Sequence, residues 1–561
     1  MVFLNLIFFI FFFILILFSI LGYGLYASSL FGIRNSNLSF GIFGLLGIFF
    51  STLLSYLTHL FFAHNIYHNL LFHLVGLILF YFFYSKNYIL YKTEIKKLFL
   101  LIVFFISCLF LSKNNEDFPY YHLPYTLNLV EHKIQFGISH FNIAFRTPSS
   151  LFYLQSLFYL PYIKYYLFHS SSLLVLIFCN FFFLDKFFFK KKKQDENYFI
   201  KLLSCLYFIF ICVAFTRLAE FGTDRAGHIV AFVIFVLLLE VLNSKYLLLE
   251  KLKLITILTV YLISIKSYFT PYLTLFLIIF LILKKEKKIK EIILDYKFIF
   301  MLILFIILLF FINFSNSGCF IYPLSFTCFE NFYWSVSLDS VHSLNNWYQL
   351  WSKAGATPNY RVSNPDEYIK YLNWVPNWFN TYFFGKVSDA LGIIFLIIFI
   401  FFLFLKRKKF LKNLHNKYMT LYFFIIFFFL LWFFNHPDLR YGGYVLLSSL
   451  FFIPTCIYLS KFYYKKIIFH KFFTIITIVA ILIFNLINIL RINSEFKRTD
   501  YYKYINFPFY HVENVPYEEA ILKESIKVFF IKGGHCWATP SPCLTSNINA
   551  KKFFNYEFFA K

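Results

Sequence analysis

Apolar runs of roughly thirteen to twenty-one residues recur from one end of this chain to the other, most of them parted from the next by a short polar break. Runs of about that length match the hydrocarbon thickness of a bilayer, where a helix is the one open element that satisfies its own backbone. The sequence therefore predicts an all-α polytopic transmembrane bundle. Composition closes off the alternative, because 60% hydrophobic residues is more than a single water-soluble core absorbs.

The runs begin at Val2 to Leu21, which has no basic leader and no small-residue cleavage site and so reads as a retained span. They continue near Leu38 to Thr58, Ile66 to Tyr84, Leu98 to Leu111, Ser170 to Phe188, Phe199 to Phe215 and Ile229 to Val241. A hairpin from Leu254 to Leu283 turns near Lys266 to Pro271, and Phe298 to Phe314, Ala390 to Leu405, Tyr418 to Phe434, Tyr441 to Leu459 and Phe472 to Leu490 follow. That makes about fourteen spans with both termini on the outer side.

A formal charge of +25 invites thoughts of nucleic acid, but its placement argues otherwise. Lys190 to Lys193, Lys284 to Lys290, Lys406 to Lys409 and Lys461 to Lys471 sit in short gaps between apolar runs, the positive-inside pattern of a cytoplasmic face. The expected surroundings are membrane lipid, with no nucleic-acid partner. The expected location is integral to a membrane, with any active site on its outer face. The polar stretch from Ser315 to Lys386 balances its charges and is placed outside with the tail after Arg491.

This gives five parts: extra N-terminal helices in residues 1–96, a core in 97–314 with a first outer loop at 113–168, a large outer loop at 315–387, further helices in 388–490, and a tail in 491–561. Within the first loop, LFYLQSLFYLPYIKYYLF is broken by Pro161 and Lys164, and reads as an amphipathic helix lying in the interface. In the tail, Pro516 to Ile526 reads as a helix before a VFFI strand. The tail is therefore expected to be a small α/β appendage packed on the large loop.

Five cysteines fall in apolar runs as small buried hydrophobes; Cys319 with Cys328, and Cys536 with Cys543, each close a short loop if their side is oxidising. CWATPSPC favours a bridge across a proline-rich turn, with two free thiols as the alternative. Neither spacing is that of a zinc site. The 88 phenylalanines make an aromatic stripe uninformative.

Charge is scarce inside the spans, so where it clusters at their outer ends it marks a site. Three positions qualify: Glu116, Asp117 and His122 in NNEDFPYYHLPY; Asp224 and Arg225 in GTDRAGH; and His436, Asp438 and Arg440 in NHPDLRYGGY. Lys266 faces the same side. Taken singly, each is best read as a solvated loop charge. Together, converging acids and arginines suit a substrate with an alcohol to deprotonate and a phosphate to hold. His122 orients Asp117 or caps the following helix, and the structural role is favoured.

The order of a boundary acid in the first outer loop, an interfacial helix, a second acidic loop and a late Arg-Tyr before a span resembles the GT-C superfamily of membrane glycosyltransferases. DFPYYHLPYTLNLVEHKIQFGISHFNIAF, SGCFIYPLSFTC and GGHCWATPSPCLT resemble more closely an uncharacterised bacterial polytopic family, from about residue 97 onward. The GT-C resemblance implies transfer of a sugar from a polyprenyl-phosphate-linked donor to an acceptor whose nature stays open. It puts the general base on Asp117, with Glu116 as neighbour; the charge of a phosphate makes Arg440, Arg225 and Lys266 the candidate donor-phosphate partners, supported by Asp224 and Asp438. No cofactor is required; a divalent metal is an option, weakened because the acids are adjacent where many such enzymes have Asp-x-Asp or Glu-x-Asp.

Three rivals stand beside this reading: a flippase or transporter of lipid-linked glycans, an O-antigen-type polymerase and a non-catalytic assembly protein. The first needs broken helices in repeated halves, and no repeat is visible. The second places arginines in the large loop, where Arg361 stands alone.

Overall fold

A computed structural model describes residues 2–33, 39–110, 117–189, 198–219, 222–243, 246–355, 362–405, 408–410, 418–463, 466–498 and 512–561. Glu116, Lys190 to Lys193, Arg361, Lys406, Arg407 and Lys465 lie outside the described residues.

Nine helices among the described residues are long and apolar enough to cross a membrane, from Leu4–Leu30 through Phe469–Lys497, and Tyr198–Ala214, Leu421–Asn435 and Gly443–Leu459 are shorter apolar helices. This is the pattern of a multi-pass membrane protein. The outward side chains agree: Leu277, Phe280, Phe300, Ile303, Ile307, Phe399, Leu403, Leu482 and Leu486 are all exposed. A helix in water presents polar residues on its free face, and these present the reverse.

Two heavily enclosed spans, with the equally enclosed Phe40–His59 beside them, form the centre. Ser170–Leu184 is buried along its whole length, and Asp224–Asn243 is buried from Ala226 to Leu239. Their neighbours are closer to lipid. Ile66–Lys86 buries only Asn69, Phe72, His73 and Gly76, and it packs on Val2–Leu30 through small residues. A Cβ on Gly22 would stand 1.9 Å from the Gly76 carbonyl oxygen, so the two backbones touch where a side chain would part them. The N-terminal helices are thus built into the bundle, and Phe40–His59 packs on Ser170–Leu184.

Two expectations are corrected. The segment after Ser149 is no amphipathic surface helix: Ser150–Ser156 is a short, wholly buried helix, and the chain then turns through a Leu160–Lys164 bridge. Its freed carbonyls find partners inside the protein, because Asn69 donates to the oxygens of Ser156 at 2.8 Å and Tyr159 at 3.0 Å. Such capping lets irregular backbone sit among apolar helices.

From residue 512 onward the described tail is a β structure and not an α/β one. Tyr517–Ile521, expected to be helical, is a strand paired antiparallel with Lys527–Ile531, and Cys543–Leu544 adds a parallel third strand. A helix this short is marginal alone, whereas KVFFI offers a backbone edge that needs a partner. A second hairpin, Asn549–Phe553 with Tyr556–Ala560, follows.

The tail rests on the first loop as well as the large one. Phe136 N–H donates to the Glu557 oxygen and the Phe136 oxygen accepts from Phe559, both at 2.9 Å. Ser541 N–H donates to Glu131 at 2.7 Å, and Trp537 N–H donates to the Pro119 oxygen at 3.2 Å. Lys551 lies over the Tyr333 ring of the large loop at 3.9 Å.

Candidate functional site

Four charged side chains from four separate stretches meet at one end of the bundle. Arg440 Nε donates to Asp224 Oδ2 at 2.7 Å and its Nη2 donates to Asp117 Oδ2 at 3.3 Å, across 323 residues of chain. Lys266 Nζ stands 3.9 Å from the other Asp224 oxygen. The cluster has a closed back and an open front: Asp224 and Lys266 are 13% and 12% exposed, Asp117 and Arg440 36% and 41%.

Each member is placed by local structure. Asp117 leads into the π-turn Phe118–His122, with Pro119 in its first turn, and the helix Leu123–Glu131 continues from it. Asp224 opens the central helix Asp224–Asn243, and Lys266 is the extended residue between Leu248–Ile265 and the helical turn Ser267–Thr274.

Arg440 is fixed most heavily. Asp438 caps its turn, accepting from the Arg440 N–H at 2.9 Å, and also takes the Tyr382 hydroxyl. Tyr382 in turn accepts from Leu439 N–H at 2.9 Å, Trp432 Nε1 donates to the Asp438 carbonyl at 2.7 Å, and His228 Nε2 donates to the Arg440 carbonyl at 3.0 Å. Gly442 follows with φ of 103°, a left-handed conformation that a side chain would strain. Asp438 is therefore a backbone cap, and burial raises its carboxyl above the usual range, against the Tyr382 hydrogen bond.

Burial pulls the Lys266 ammonium below the usual lysine range, while the Asp224 charge opposes that. Among the described residues Lys266 makes no hydrogen bond, so its three donors stay available, and Arg440 keeps Nη1 uncommitted. Two cations with unused donors beside a half-exposed carboxylate can hold an oxyanion and accept a proton. His122 is buried, its Nδ1 has no hydrogen-bond partner among the described residues, and its side chain caps no helix. Burial first, then Lys266, holds its imidazole well below the ordinary histidine range.

Arg225 is not brought to Asp117: its charge acts on His228 and Tyr444. Glu116 lies outside the described residues. A divalent metal does not fit the described donors, because Arg440 already binds both Asp117 and Asp224 and Lys266 adds a second positive charge beside them. No group of three or more His, Cys, Asp or Glu side chains able to hold a metal occurs among the described residues. Cys319 is joined to Cys328 and Cys536 to Cys543.

The sequence reading missed the aromatic roof. The large loop contributes the helix Leu338–Lys353, whose Trp351 ring stands 5.9 Å from the Arg440 guanidinium and 6.0 Å from the Tyr441 ring. Trp347 stacks beside Trp351 at 6.3 Å and is exposed. A signal was present: only seven tryptophans occur in the chain, and these two lie four apart, on one face of a polar helix. Arg146 was missed as well.

A family model described as Domain of unknown function (DUF8201) matches residues 6–447. The chain belongs to this family. The matched span includes Asp117, Asp224, Lys266 and Arg440 and ends before the tail, so the charge cluster falls wholly inside it. No curated protein and no solved structure matches the chain.

Proposed function

We propose that this protein is a membrane glycosyltransferase of GT-C type, with about fourteen spans. On this reading it moves a sugar from a polyprenyl-phosphate-linked donor to an acceptor of the cell envelope, on the outer face of the bacterial plasma membrane. The observation that carries the proposal is the pairing of Arg440 with both Asp117 and Asp224 at a half-open end of the bundle, with Lys266 behind.

In the reaction, the acceptor hydroxyl attacks the anomeric carbon and gives its proton to Asp117. The new bond is acceptor oxygen to carbon; the bond that breaks is carbon to phosphate oxygen, and the lipid phosphate leaves with the electron pair. The charge growing on that phosphate is met by Arg440 Nη1 and by Lys266, which act without reorganising because Asp224 already holds them. Trp351 and Trp347 offer flat apolar faces to a sugar ring. The lysine clusters between spans support the outer placement of the site.

The test is glycosylated product formed in membranes that carry equal amounts of each variant. Asp117→Asn keeps the shape and the contact to Arg440 but cannot take the proton, and loss of a general base lowers rate by about 10² to 10⁴. Glu116→Gln, the neighbour control, falls less. Full activity in Asp117→Asn overturns the assignment.

A further inference from the structure

A cavity of about 200 Å³ lies between the first loop and the tail. One wall is Tyr120, Ser139, His140 and Arg146, and the other is Gly534, His535, Cys536 and Lys561. None of its lining side chains is acidic. Two of the residues that line it hold a buried polar atom with no partner among the described residues, Ser139 Oγ and Arg146 Nε.

Arg146 is the key residue. Its Nη1 donates to the Ser340 hydroxyl at 2.7 Å and the Tyr322 hydroxyl at 3.2 Å, both neutral. No carboxylate lies within ion-pair distance of it among the described residues, in contrast to Arg440, which has two. A half-buried guanidinium lined up with neutral hydroxyls, with a free Nε, is short of a counter-ion. Lys561 and Arg146 both act on His140, so three basic side chains share the space.

The cavity adjoins the charge cluster through one turn of chain. Tyr120 lines it, touches the His535 ring at 5.4 Å, and feels both the Asp117 and the Arg146 charges. The Cys536–Cys543 bridge holds the His535 wall in place: Trp537 beside it packs on Phe118 at 6.1 Å.

We propose that this cavity binds an anionic group, a carboxylate or a phosphate carried by the acceptor, and holds it next to Asp117. The word acceptor rests on the transferase reading; the anion site itself does not. A volume of about 200 Å³ suits one charged group with part of a sugar ring and is smaller than a drug-sized pocket. The acceptor class is then an acidic or phosphorylated glycan, and a neutral one would leave Arg146 unpaired.

The experiment is a thermal-shift titration of the purified full chain in detergent, with glucuronate, inorganic phosphate and glucose as probes and no donor present. Saturable stabilisation by glucuronate or phosphate but not by glucose is expected, and whichever binds more tightly says whether the group is a carboxylate or a phosphate. Arg146→Gln should weaken that binding about tenfold or more, the usual effect of losing a charged hydrogen-bonding partner. Lys561→Gln, on the exposed opposite wall, should weaken it too and covers the case in which Arg146→Gln does not fold. Because the charge cluster can itself hold an oxyanion, the titration is repeated in an Arg440→Gln background, where the binding that Arg146 carries should persist. No stabilisation by either anion, equal stabilisation by glucose, or binding lost with Arg440→Gln but kept with Arg146→Gln would each overturn the site. Because no transfer is measured, loss of the catalytic reading leaves this result standing, and the reverse holds.

Discussion

Replacing Asp224 by Asn separates the residue that holds the cluster from the residue that reacts. Asp224 is 13% exposed and meets Arg440 Nε at 2.7 Å and Lys266 at 3.9 Å, so its charge neutralises two cations at once. Removing one partner of a fully buried pair costs about 3–5 kcal/mol. Here Arg440 is 41% exposed, and solvent takes over part of the lost interaction, while the Asn oxygen keeps one hydrogen bond from Nε. A loss of about 2 kcal/mol is therefore expected, seen as a lower thermal midpoint of the full chain in detergent.

Most of that loss should come from Lys266, left buried without its acid. Its ammonium is already held below the ordinary lysine range by burial, with Asp224 opposing. Without Asp224 it falls further. A folded-state pKa below the unfolded one means that the folded protein binds fewer protons, so stability rises with pH across that interval. The deficit of Asp224→Asn should thus be fullest at neutral pH and narrow as pH climbs toward the lysine range. Adding Lys266→Met should give back part of the loss, since an unpaired buried charge is removed. A variant that melts like the native chain, or a Lys266→Met change that simply adds to the damage, would refute the reasoning.

Gly442→Ala should cost about 1–2 kcal/mol and lower transfer, because Ala strains a φ of 103° in the turn that aims Arg440; the thermal midpoint and product formation report both. His436, held by burial and by Lys353 down to about 4, makes the chain lose stability as pH falls from about 6.5 to 4, at up to about 1.4 kcal/mol per pH unit. A His436→Asn variant melted across that range should show a shallower fall. An impermeant thiol reagent on intact cells should label Asn547→Cys but reach Lys287→Cys only after the membrane is opened; the opposite pattern would reverse the sidedness.

The sequence by itself determined the helices and where to look for the site. Runs such as Ser170 to Phe188 must form helices in lipid wherever they end up, because no other open element satisfies their backbone. Asp117, Asp224, Lys266 and Arg440 were legible because charge at the end of an apolar run is rare. What they do to one another was not. The contact between Asp117 and Arg440 spans 323 residues, and nothing local distinguishes Arg440, which reaches the cluster, from Arg225, which acts on His228 and Tyr444.

Tertiary packing also decided what surrounds the Asp438 cap, since the Tyr382 hydroxyl that its carboxylate accepts lies 56 residues away in the chain. It decided that Tyr517–Ile521 is a strand, since pairing with Lys527–Ile531 outweighs a helix too short to stand alone. Arg146 looked like any loop arginine in FRTPSS. Only when the tail closed a cavity over it, and no carboxylate came within reach, did its missing counter-ion become visible, because a shortage of charge is a property of the space around a residue.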